Sequence, residues 1–393
     1  TVGPDDQLIP YVRLLHDHTF GNFYDLMLDV TLNPTMGRYL DMVNNDKTEP
    51  GSSLTPNENY ARELLQLFTV GLNLLNLDGS EQTDVNGDPI PTYDEDVILD
   101  LSRVMTGWTY PTKPGNTLRW RNPSFYDGPM EAVESHHDSL PKVLMNGFPL
   151  PGGQTALQDL EGALTHIFNH PNVGPFVATR LIRNLVTSNP SPDYIARVAT
   201  VFNENENGVR GDLKAVLRAI LLDPEAEVVT ANGGHLREPV LFGIALLRAL
   251  EATVLLDNPL YSRIRDMGQS LFAPPSVFNY FSPLHKISNL NLFGPEFEIH
   301  TQSAAFARVN FVDRVVRGGL GSGASVDLSR FVGIADDLEL IQAVENVLLH
   351  EPLTTTERNS ILTALTVSGI SSETRVEFVV YLIASSSRYQ VQH

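Results

Sequence analysis

Apolar residues recur at helical spacing along most of this chain of 393 residues, and this period restricts the fold more than any other feature. In the segment 55–71 the apolar positions stand at i, i+3, i+4 and i+7, and they are Ala61, Leu64, Leu65 and Phe68. Proline and glycine residues separate this segment from similar ones on either side. The pattern therefore predicts a mainly α, multi-helix globular array.

The segment 55–71 is also the helix whose ends the sequence specifies best. Thr55 is expected to be the N-cap, with Pro56 at the first helical position and Glu58 completing a capping box. Gly71 is expected to end the helix in the left-handed conformation. We therefore expect a rigid helix that holds its polar side chains in fixed directions.

Two segments interrupt the helical period. Asn86 and Gly87, between two short extended stretches, predict a small β-hairpin near residues 77–93 with a two-residue turn. Residues 107–153 are rich in proline, glycine and aromatic residues, which is typical of a lid or binding loop. Three consecutive regions of one continuous helical domain are expected: residues 1–153, 154–317 and, after a glycine-rich linker, 318–393.

Composition excludes several classes of function. The chain has 27 Lys and Arg residues against 47 Asp and Glu residues, a formal net charge of -20, so we expect no binding to nucleic acid. It has no cysteine, which excludes disulfides, thiol nucleophiles and cysteine-ligated metals. No apolar run approaches the roughly 20 residues of a membrane span. Because the chain opens at Thr1 without a signal pattern, we expect a removed signal or a piece of a longer product.

The polar face of the helix at 55–71 is the first candidate site. Carboxylate, amide, phenol and guanidinium groups fall within two turns, and the residues are Glu58, Asn59, Tyr60, Arg62 and Glu63. The two glutamates have the chemistry of general acids, bases or metal ligands, and Arg62 can hold an anion. The alternative is a solvated face with a surface ion pair between Glu58 and Arg62.

A second candidate site lies in the long insertion. His136, His137 and Asp138 are adjacent and Lys142 follows, a set of side chains suited to a divalent metal ion or to proton transfer. The metal ligands would be His136, His137 and Asp138. The alternative is a hydrated loop that happens to contain histidine.

Three further side chains are candidates for contact with a substrate. Arg103 would pair with Glu58 or Glu63, bind an anionic substrate, or extend to the surface. Trp108 and Trp120 would stack on a sugar or another flat group.

Several stretches, taken in order, resemble a bacterial family named only as domain of unknown function 1800. They are PNENYARELLQLF at 56–68 with Gly71, Arg103 with TGW at 106–108, HD at 137–138 with Lys142, MGQ at 267–269 with Pro274 and Pro275, and RYQ at 388–390. The resemblance implies an exported bacterial protein, a sulfatase-like partner encoded nearby and a further helical portion upstream of Thr1. It implies no particular reaction.

From these residues we expect an exported, hydrolase-like enzyme that uses acid–base or metal-assisted chemistry on an extracellular or envelope polymer or conjugate. Its cleft would lie between the helix at 55–71 and the long insertion. The catalytic residues would be Glu58, Glu63, His137, Asp138 and Lys142, the last three closing the site from the insertion. A structural protein that forms a homo-oligomer, filament or surface layer is the alternative, and its polar clusters would be buried packing networks. A binding module without turnover is the third.

Overall fold

The computed structural model describes residues 7–49, 51, 55–228, 233–255, 259–321, 323–366 and 371–392. Within these ranges the fold is mainly α, as predicted, with seventeen α-helices and four two-stranded antiparallel sheets. None of the described helices combines the length and apolar character needed to cross a bilayer. The chain divides into two compact units. The first comprises Thr1–Ile182 and Pro190–Val228, and the second Arg183–Asn189 and Val229–His393.

Polar caps set the starts of most helices between residues 9 and 221. The side chains of Asn22, Asp94 and Asp212 each accept a backbone N–H two or three residues on, and Thr155 with Gln158 forms a complete capping box. The helices are α1 (Ile9–Asp17), α2 (Phe23–Leu32), α3 (Pro34–Tyr39), α4 (Asn59–Glu63), α5 (Glu95–Val104), α6 (Ala156–Phe168), α7 (Val173–Leu185), α8 (Pro192–Asn203) and α9 (Leu213–Leu221).

Aromatic side chains from α2, α6 and α8 join these helices into one core. The rings of Phe23 and Phe202 meet edge to face at 5.6 Å, as do those of Tyr24 and Phe168. Each large apolar side chain buried in this way contributes roughly 1.5–3 kcal/mol.

The predicted capping box at Thr55 is wrong. Helix α4 begins at Asn59, and Glu58 occupies the N-cap position without a side-chain capping bond. The segment before α4 is held outside the helix because Asn57 N donates to Asn45 Oδ1 (2.8 Å) and Asn57 Oδ1 accepts from Asn59 N (2.9 Å). Gly71 does adopt the predicted left-handed conformation, with φ +74°.

The second half of this helix is a π-helix at Leu64–Thr69. The hydroxyl of Thr69 donates to the carbonyl oxygen of Leu64 (2.6 Å), which helps to hold the wider turn. Turns of this kind are rare and often lie at functional sites. The sequence period did not reveal it, because one extra residue in a turn shifts the apolar stripe only slightly.

The hairpin at 77–93 is present, but its turn is longer than predicted. Thr83 pairs with Pro89, so five residues connect the two arms. The carboxylate of Asp84 accepts the N–H groups of Asn86 (2.8 Å) and Asp88 (3.0 Å). This side chain therefore organises the turn in place of the expected two-residue geometry.

The long insertion contains two short antiparallel strand pairs and two turns of 3₁₀-helix. Strand β1 (Trp108–Thr109) pairs with β2 (Glu131–Ala132), and β3 (Lys142–Leu144) pairs with β4 (Phe148–Leu150). The 3₁₀ turns are Glu134–His136 and Met145–Gly147. The strands have only two or three residues each, too few to show an alternating pattern in the sequence.

The second unit has its own apolar core, built from Phe242, Phe311, Leu340, Val379 and Ile383 among others. A 3₁₀ turn, Pro295–Ile299, precedes α12. The helices are α10 (Pro239–Ala249), α11 (Leu260–Asp266), α12 (Gln302–Val316), α13 (Ser329–Val332), α14 (Asp337–Leu348), α15 (Thr355–Thr366), α16 (Ser372–Ser385) and α17 (Ser387–Gln390). The strands form two pairs, β5 (His235–Leu236) with β8 (Val391–Gln392), and β6 (Thr253–Val254) with β7 (Ala324–Ser325).

Candidate functional site

His137 and Lys142, both predicted to be catalytic, meet Asp159 of α6 in a buried cluster that we call the anchor cluster. Asp159 Oδ2 lies 3.1 Å from His137 Nε2 and also accepts from the ammonium of Lys142. His137 Nδ1 lies 3.1 Å from the carbonyl oxygen of Thr106, and all three side chains of the cluster are at most 1% exposed. Lys142 also donates to the carbonyl oxygens of Asp138 and Leu140. Every charged group in the anchor cluster is therefore paired.

Asp138 extends this network to α5. Arg103 donates to both of its carboxylate oxygens, at 2.9 and 3.1 Å, and also to Asp100 at 2.7 Å. Burial alone would raise the pKa of Asp138, but the hydrogen bonds from Arg103 and from the N–H of Leu140 outweigh it and lower the pKa. Burial would likewise raise the pKa of Asp159, but the hydrogen bonds from His137 and Lys142 outweigh it and lower the pKa. Both groups are therefore held as carboxylates.

Gly107 permits the close approach of the histidine segment. Its φ is +87°, and a Cβ at this position would lie 2.9 Å from the backbone nitrogen of His137. The same residue donates its N–H to the carbonyl oxygen of Asn45 (2.9 Å). The insertion is thus fixed to the helical core through the backbone as well as through the anchor cluster.

The predicted metal ligands do not converge. His136 Nδ1 lies 2.9 Å from Asp46 Oδ1, and its ring stacks on Trp120 at 4.2 Å, whereas His137 pairs with Asp159 and Asp138 with Arg103. Three neighbouring side chains point to three different partners. In the part of the chain that the structure describes, no group of three or more His, Asp or Glu residues could hold a metal ion.

The two arginines predicted to bind substrate are paired with carboxylates. Arg62 Nη2 donates to Glu58 (3.0 Å) and to Glu95 of α5 (2.9 Å), and Arg103 is paired as described above. Helix α5 therefore links the polar face of α4 to the insertion, since Glu95 contacts the first and Arg103 the second. Neither arginine is left with an unneutralised charge.

Three other predicted residues lie in different surroundings. Trp108 is 3% exposed, so its ring face is enclosed by protein. Tyr60 is 1% exposed, whereas Asn59 is half-buried at the start of α4. The tyrosine faces the apolar interior and takes no part in the polar face.

Glu63 differs from the other predicted carboxylates because it is buried without full pairing. It is 7% exposed, and its Oε2 has no hydrogen-bond partner among the described residues. Burial raises the pKa of Glu63, and the charge of Arg62 only partly opposes this. Glu63 also lies close enough to Tyr93 to raise the pKa of that phenol, which burial and this charge together bring to about 12.

Tyr93 lines an open cleft of about 770 Å³, which we call the Tyr93 cleft. Its wall also carries Asp94, Asp96 and Asp100 from the start of α5 and residues 143–147 of the insertion.

Asn172, which is 1% exposed, positions the chain that leads to Tyr93. Its amide nitrogen donates to the carbonyl oxygens of Val70 and Asn73 (both 2.8 Å) and to the hydroxyl of Thr92 (3.3 Å). The wall of the Tyr93 cleft is therefore held by a buried side chain that lies far away in the sequence.

The second unit contains a buried polar cluster that the sequence analysis missed. His235 Nδ1 lies 3.5 Å from Glu296 Oε1, and Arg308 donates from Nη2 to the carbonyl oxygen of Arg237 (2.9 Å). Gln269 donates to Glu238 and accepts from the N–H of Val240. Gln269 belongs to a stretch that carries the family resemblance, which is the signal that could have pointed here.

Several polar atoms of this second-unit cluster have no hydrogen-bond partner among the described residues: both ring nitrogens of His235, Oε2 of Glu296, Nδ1 of His300, and Nε and Nη1 of Arg308. Burial lowers the pKa of Arg308 to about 10, although Glu296 opposes the shift. Burial also raises the pKa of Glu238, with the hydrogen bond from Gln269 acting against it. Four segments supply these side chains, at residues 235–240, 269, 296–300 and 308, so sequence spacing could not have grouped them.

The chain belongs to the family described as Protein of unknown function (DUF1800), which it matches over residues 3–391. No curated protein and no solved structure matches the chain. The family assignment confirms the predicted resemblance over nearly the whole sequence.

Proposed function

We propose that this protein is an exported acid–base hydrolase that cleaves a polar polymer or conjugate, with Glu63 as the proton donor and the Tyr93 cleft as the substrate site. One observation supports this above all others. Glu63 is a buried carboxyl group with a raised pKa and an unpaired oxygen, next to the tyrosine that lines the cleft. A carboxyl group whose pKa is raised by burial is suited to protonate a leaving group.

The lining of the cleft suggests which carboxylate would activate water. Asp94 caps α5 through the N–H of Val97 (3.1 Å), and Asp100 pairs with Arg103. Asp96 has neither role, so we assign it as the base. A general acid and a general base are the parts that hydrolysis of a glycosidic or ester bond requires, and the proposal assigns them to Glu63, beside Tyr93, and to Asp96 on the cleft wall.

The charges of the cleft favour a neutral or cationic substrate over an anionic one. Three aspartates line it, and the nearby Arg62 and Arg103 are neutralised by their own carboxylate partners. The proposal therefore assigns both arginines to holding α4, α5 and the insertion together. Polyhydroxylated or amine-bearing polymers fit this chemistry better than phosphorylated or sulfated ones.

The site of action and the partner are part of the same proposal. The family resemblance suits a protein that acts in the bacterial envelope or outside the cell. A sulfatase-like protein encoded nearby would act on the same material.

The test compares Glu63→Gln with Glu95→Gln on a panel of soluble glycans, aryl esters and aryl phosphoesters. Glu63→Gln removes the proton donor at constant size, so we expect turnover to fall by about 100-fold or more. Glu95 is exposed and also contacts Arg62, so Glu95→Gln should stay within about twofold of the wild type. Activity should fall as the pH rises through the raised pKa of Glu63, because the protonated form is the active one.

Circular dichroism of both variants serves as the folding control. Full activity in a folded Glu63→Gln variant would contradict the assignment. So would a rate that rises steadily with pH across the range in which Glu63 loses its proton.

A structural or assembly role is the second candidate, and the anchor cluster favours it. His137, Lys142 and Asp159 are buried and fully paired, which is the property of a network that specifies a unique packing. In this case size-exclusion chromatography and negative-stain imaging of native material should reveal polymers. A discrete monomer or dimer at high concentration would speak against it.

A further inference from the structure

A second open cleft of the first unit, with a volume of about 710 Å³, lies between the end of α3 and the long insertion, and we call it the Arg38 cleft. Pockets that bind small molecules have volumes of about 300–1,000 Å³, so this cleft falls within their range. Most of its lining is polar, which suits a polar ligand. The polar side chains include Arg38, Asp41 and Asn44 on one wall and Tyr110, Asn122 and Ser124 on the other.

Hydrogen bonds hold the two walls of the Arg38 cleft together. Asn44 N donates to the carbonyl oxygen of Trp108 (2.7 Å), and Asn44 Oδ1 accepts from the hydroxyl of Thr109 (2.7 Å). The same hydroxyl accepts from the backbone N–H of Asn122 (3.1 Å), whose side-chain amide donates to the carbonyl oxygen of Tyr110 (2.9 Å). The cleft is therefore formed in advance, which lowers the cost of binding a ligand.

Two residues of the first wall have an uncommon backbone conformation. Asp41 and Asn44 have φ values of +59° and +61°, in the left-handed region, and Met42 between them is fully buried. Residues other than glycine keep this conformation only where their surroundings fix it, and they cluster at ligand-binding sites. The wall that carries Asp41 is therefore fixed by the backbone as well as by the hydrogen bonds of Asn44.

Two opposite charges on this wall are not paired with each other or with another charged group. Arg38 Nη1 donates to the hydroxyl of Tyr110 (3.4 Å), a group that orients the guanidinium without neutralising it, and no carboxylate lies within ion-pair distance of Arg38 among the described residues. Asp41 takes part in no hydrogen bond or ion pair within the same described part of the chain, and both side chains are exposed. By contrast, Arg62 and Arg103 each contact two carboxylates.

We propose that the Arg38 cleft binds a short zwitterionic peptide of dipeptide size, with its carboxylate on Arg38 and its ammonium group on Asp41. The guanidinium presents paired N–H donors that match a carboxylate, and the Asp41 carboxylate accepts N–H groups of an ammonium. A ligand with a single charge would make one favourable and one unfavourable contact, whereas a zwitterion makes two favourable ones.

The amide side chains of the cleft favour a dipeptide over a single amino acid. Asn44 and Asn122 both line the cleft, and an asparagine side chain can donate and accept hydrogen bonds. These are the two kinds of hydrogen bond that a peptide group makes. A single amino acid has no peptide group between its two charges, so it should bind more weakly.

Isothermal titration calorimetry of the full chain with L-alanyl-L-alanine at low ionic strength tests this proposal. The comparison ligands are the amide of this dipeptide, which lacks the carboxylate, and its N-acetyl derivative, which lacks the ammonium group. We expect one equivalent of the dipeptide to bind. Each comparison ligand should bind roughly three- to tenfold more weakly, because each loses one charge-assisted contact.

Two variants make the test specific. Arg38→Gln should abolish the preference for the dipeptide over its amide while leaving the preference over the N-acetyl derivative. Asp41→Asn should do the reverse, and asparagine tolerates the left-handed conformation, so the backbone is kept. Arg13→Gln and Asp25→Asn, at exposed residues outside the cleft, are the matched controls and should bind all three ligands as the wild type does.

Three results would overturn the proposal: no binding of the dipeptide to the wild type, equal binding of all three ligands, or variants that keep both preferences. Because Asp41→Asn changes the size of the side chain least, it decides the case even if Arg38→Gln fails to fold. No residue lines both the Arg38 cleft and the Tyr93 cleft, and hydrolase activity is measured separately, so failure here leaves the Glu63 result intact.

Discussion

Single buried ionisable residues in this protein differ mainly in whether their charge is paired. Asp159 and Glu63 are both buried, yet the first has a lowered pKa because hydrogen bonds from His137 and Lys142 outweigh burial, and the second has a raised pKa because burial outweighs the charge of Arg62. His170 is a third case. Burial lowers its pKa to about 4, and the nearby His166 and Arg210 act in the same direction.

His170 should make the protein sensitive to acid. Its folded pKa lies below the ordinary value of 6.5, so its contribution to stability is present above pH 6.5 and is lost as the pH falls toward about 4. Over this pH range the wild type should lose up to about 3 kcal/mol of its free energy of unfolding through His170, and the His170→Asn variant should not. Urea unfolding of His170→Asn at several pH values measures the effect.

His16→Asn is the matched control, because the His16 side chain is 87% exposed on α1. It should show the same pH dependence as the wild type. Identical slopes for the wild type and for both variants would show that His170 is not the group responsible.

At the scale of elements, close backbone contacts fix the insertion. Gly107 joins β1 to the helical core and lies directly against His137, whereas Gly115 has nearly the same backbone conformation, φ +85°, with no atom near its Cβ position. Alanine substitutions at the two glycines therefore allow the cost of backbone strain to be measured apart from the cost of steric contact.

Gly115→Ala should cost about 1–2 kcal/mol, the penalty for a left-handed alanine. Gly107→Ala should cost roughly 1–3 kcal/mol more, because the new Cβ would lie 2.9 Å from the backbone nitrogen of His137. Chemical denaturation of the two variants measures the difference. Equal losses in the free energy of unfolding would mean that the insertion moves away from the new Cβ at no energetic cost, and that it is not held in place as described.

At the scale of the whole molecule, the net charge of -20 opposes folding through self-repulsion. Salt screens this repulsion, since the Debye length falls from about 30 Å at 0.01 M to about 8 Å at 0.15 M. The same salt also weakens the attraction within the described ion pairs, but many of these pairs lie at the surface and contribute little to the free energy of folding.

We therefore expect the midpoint of thermal unfolding to rise when NaCl is increased from about 0.01 M to about 0.15 M. Each kcal/mol gained should raise it by roughly 2–4 °C for a unit of 150–250 residues. Differential scanning calorimetry makes the measurement, with sucrose at equal osmolarity as a control for non-ionic effects. A fall in the midpoint would show that attractive pairs outweigh the net repulsion.

The helical class followed from the sequence, because apolar spacing acts over a few residues. Gly71, for example, adopts the predicted left-handed conformation, which depends on its own residue type. The start of α4 was misjudged because Asn45, a residue outside the helical segment, holds the chain that precedes it. The π-helix and the short strands also escaped prediction, since they depend on contacts outside their own segments.

For the candidate sites, the sequence determined which side chains carry the chemistry, and the tertiary structure decided which of them are paired. His137, Lys142 and Arg103 were chosen as site residues from their residue types, and the structure pairs the first two with Asp159 of another helix. Glu63 is distinguished by being buried with one carboxylate oxygen that has no hydrogen-bond partner among the described residues. Pairing and burial arise from segments brought together by folding, and an ionisable group responds to the charges and solvent around it, wherever in the chain they originate.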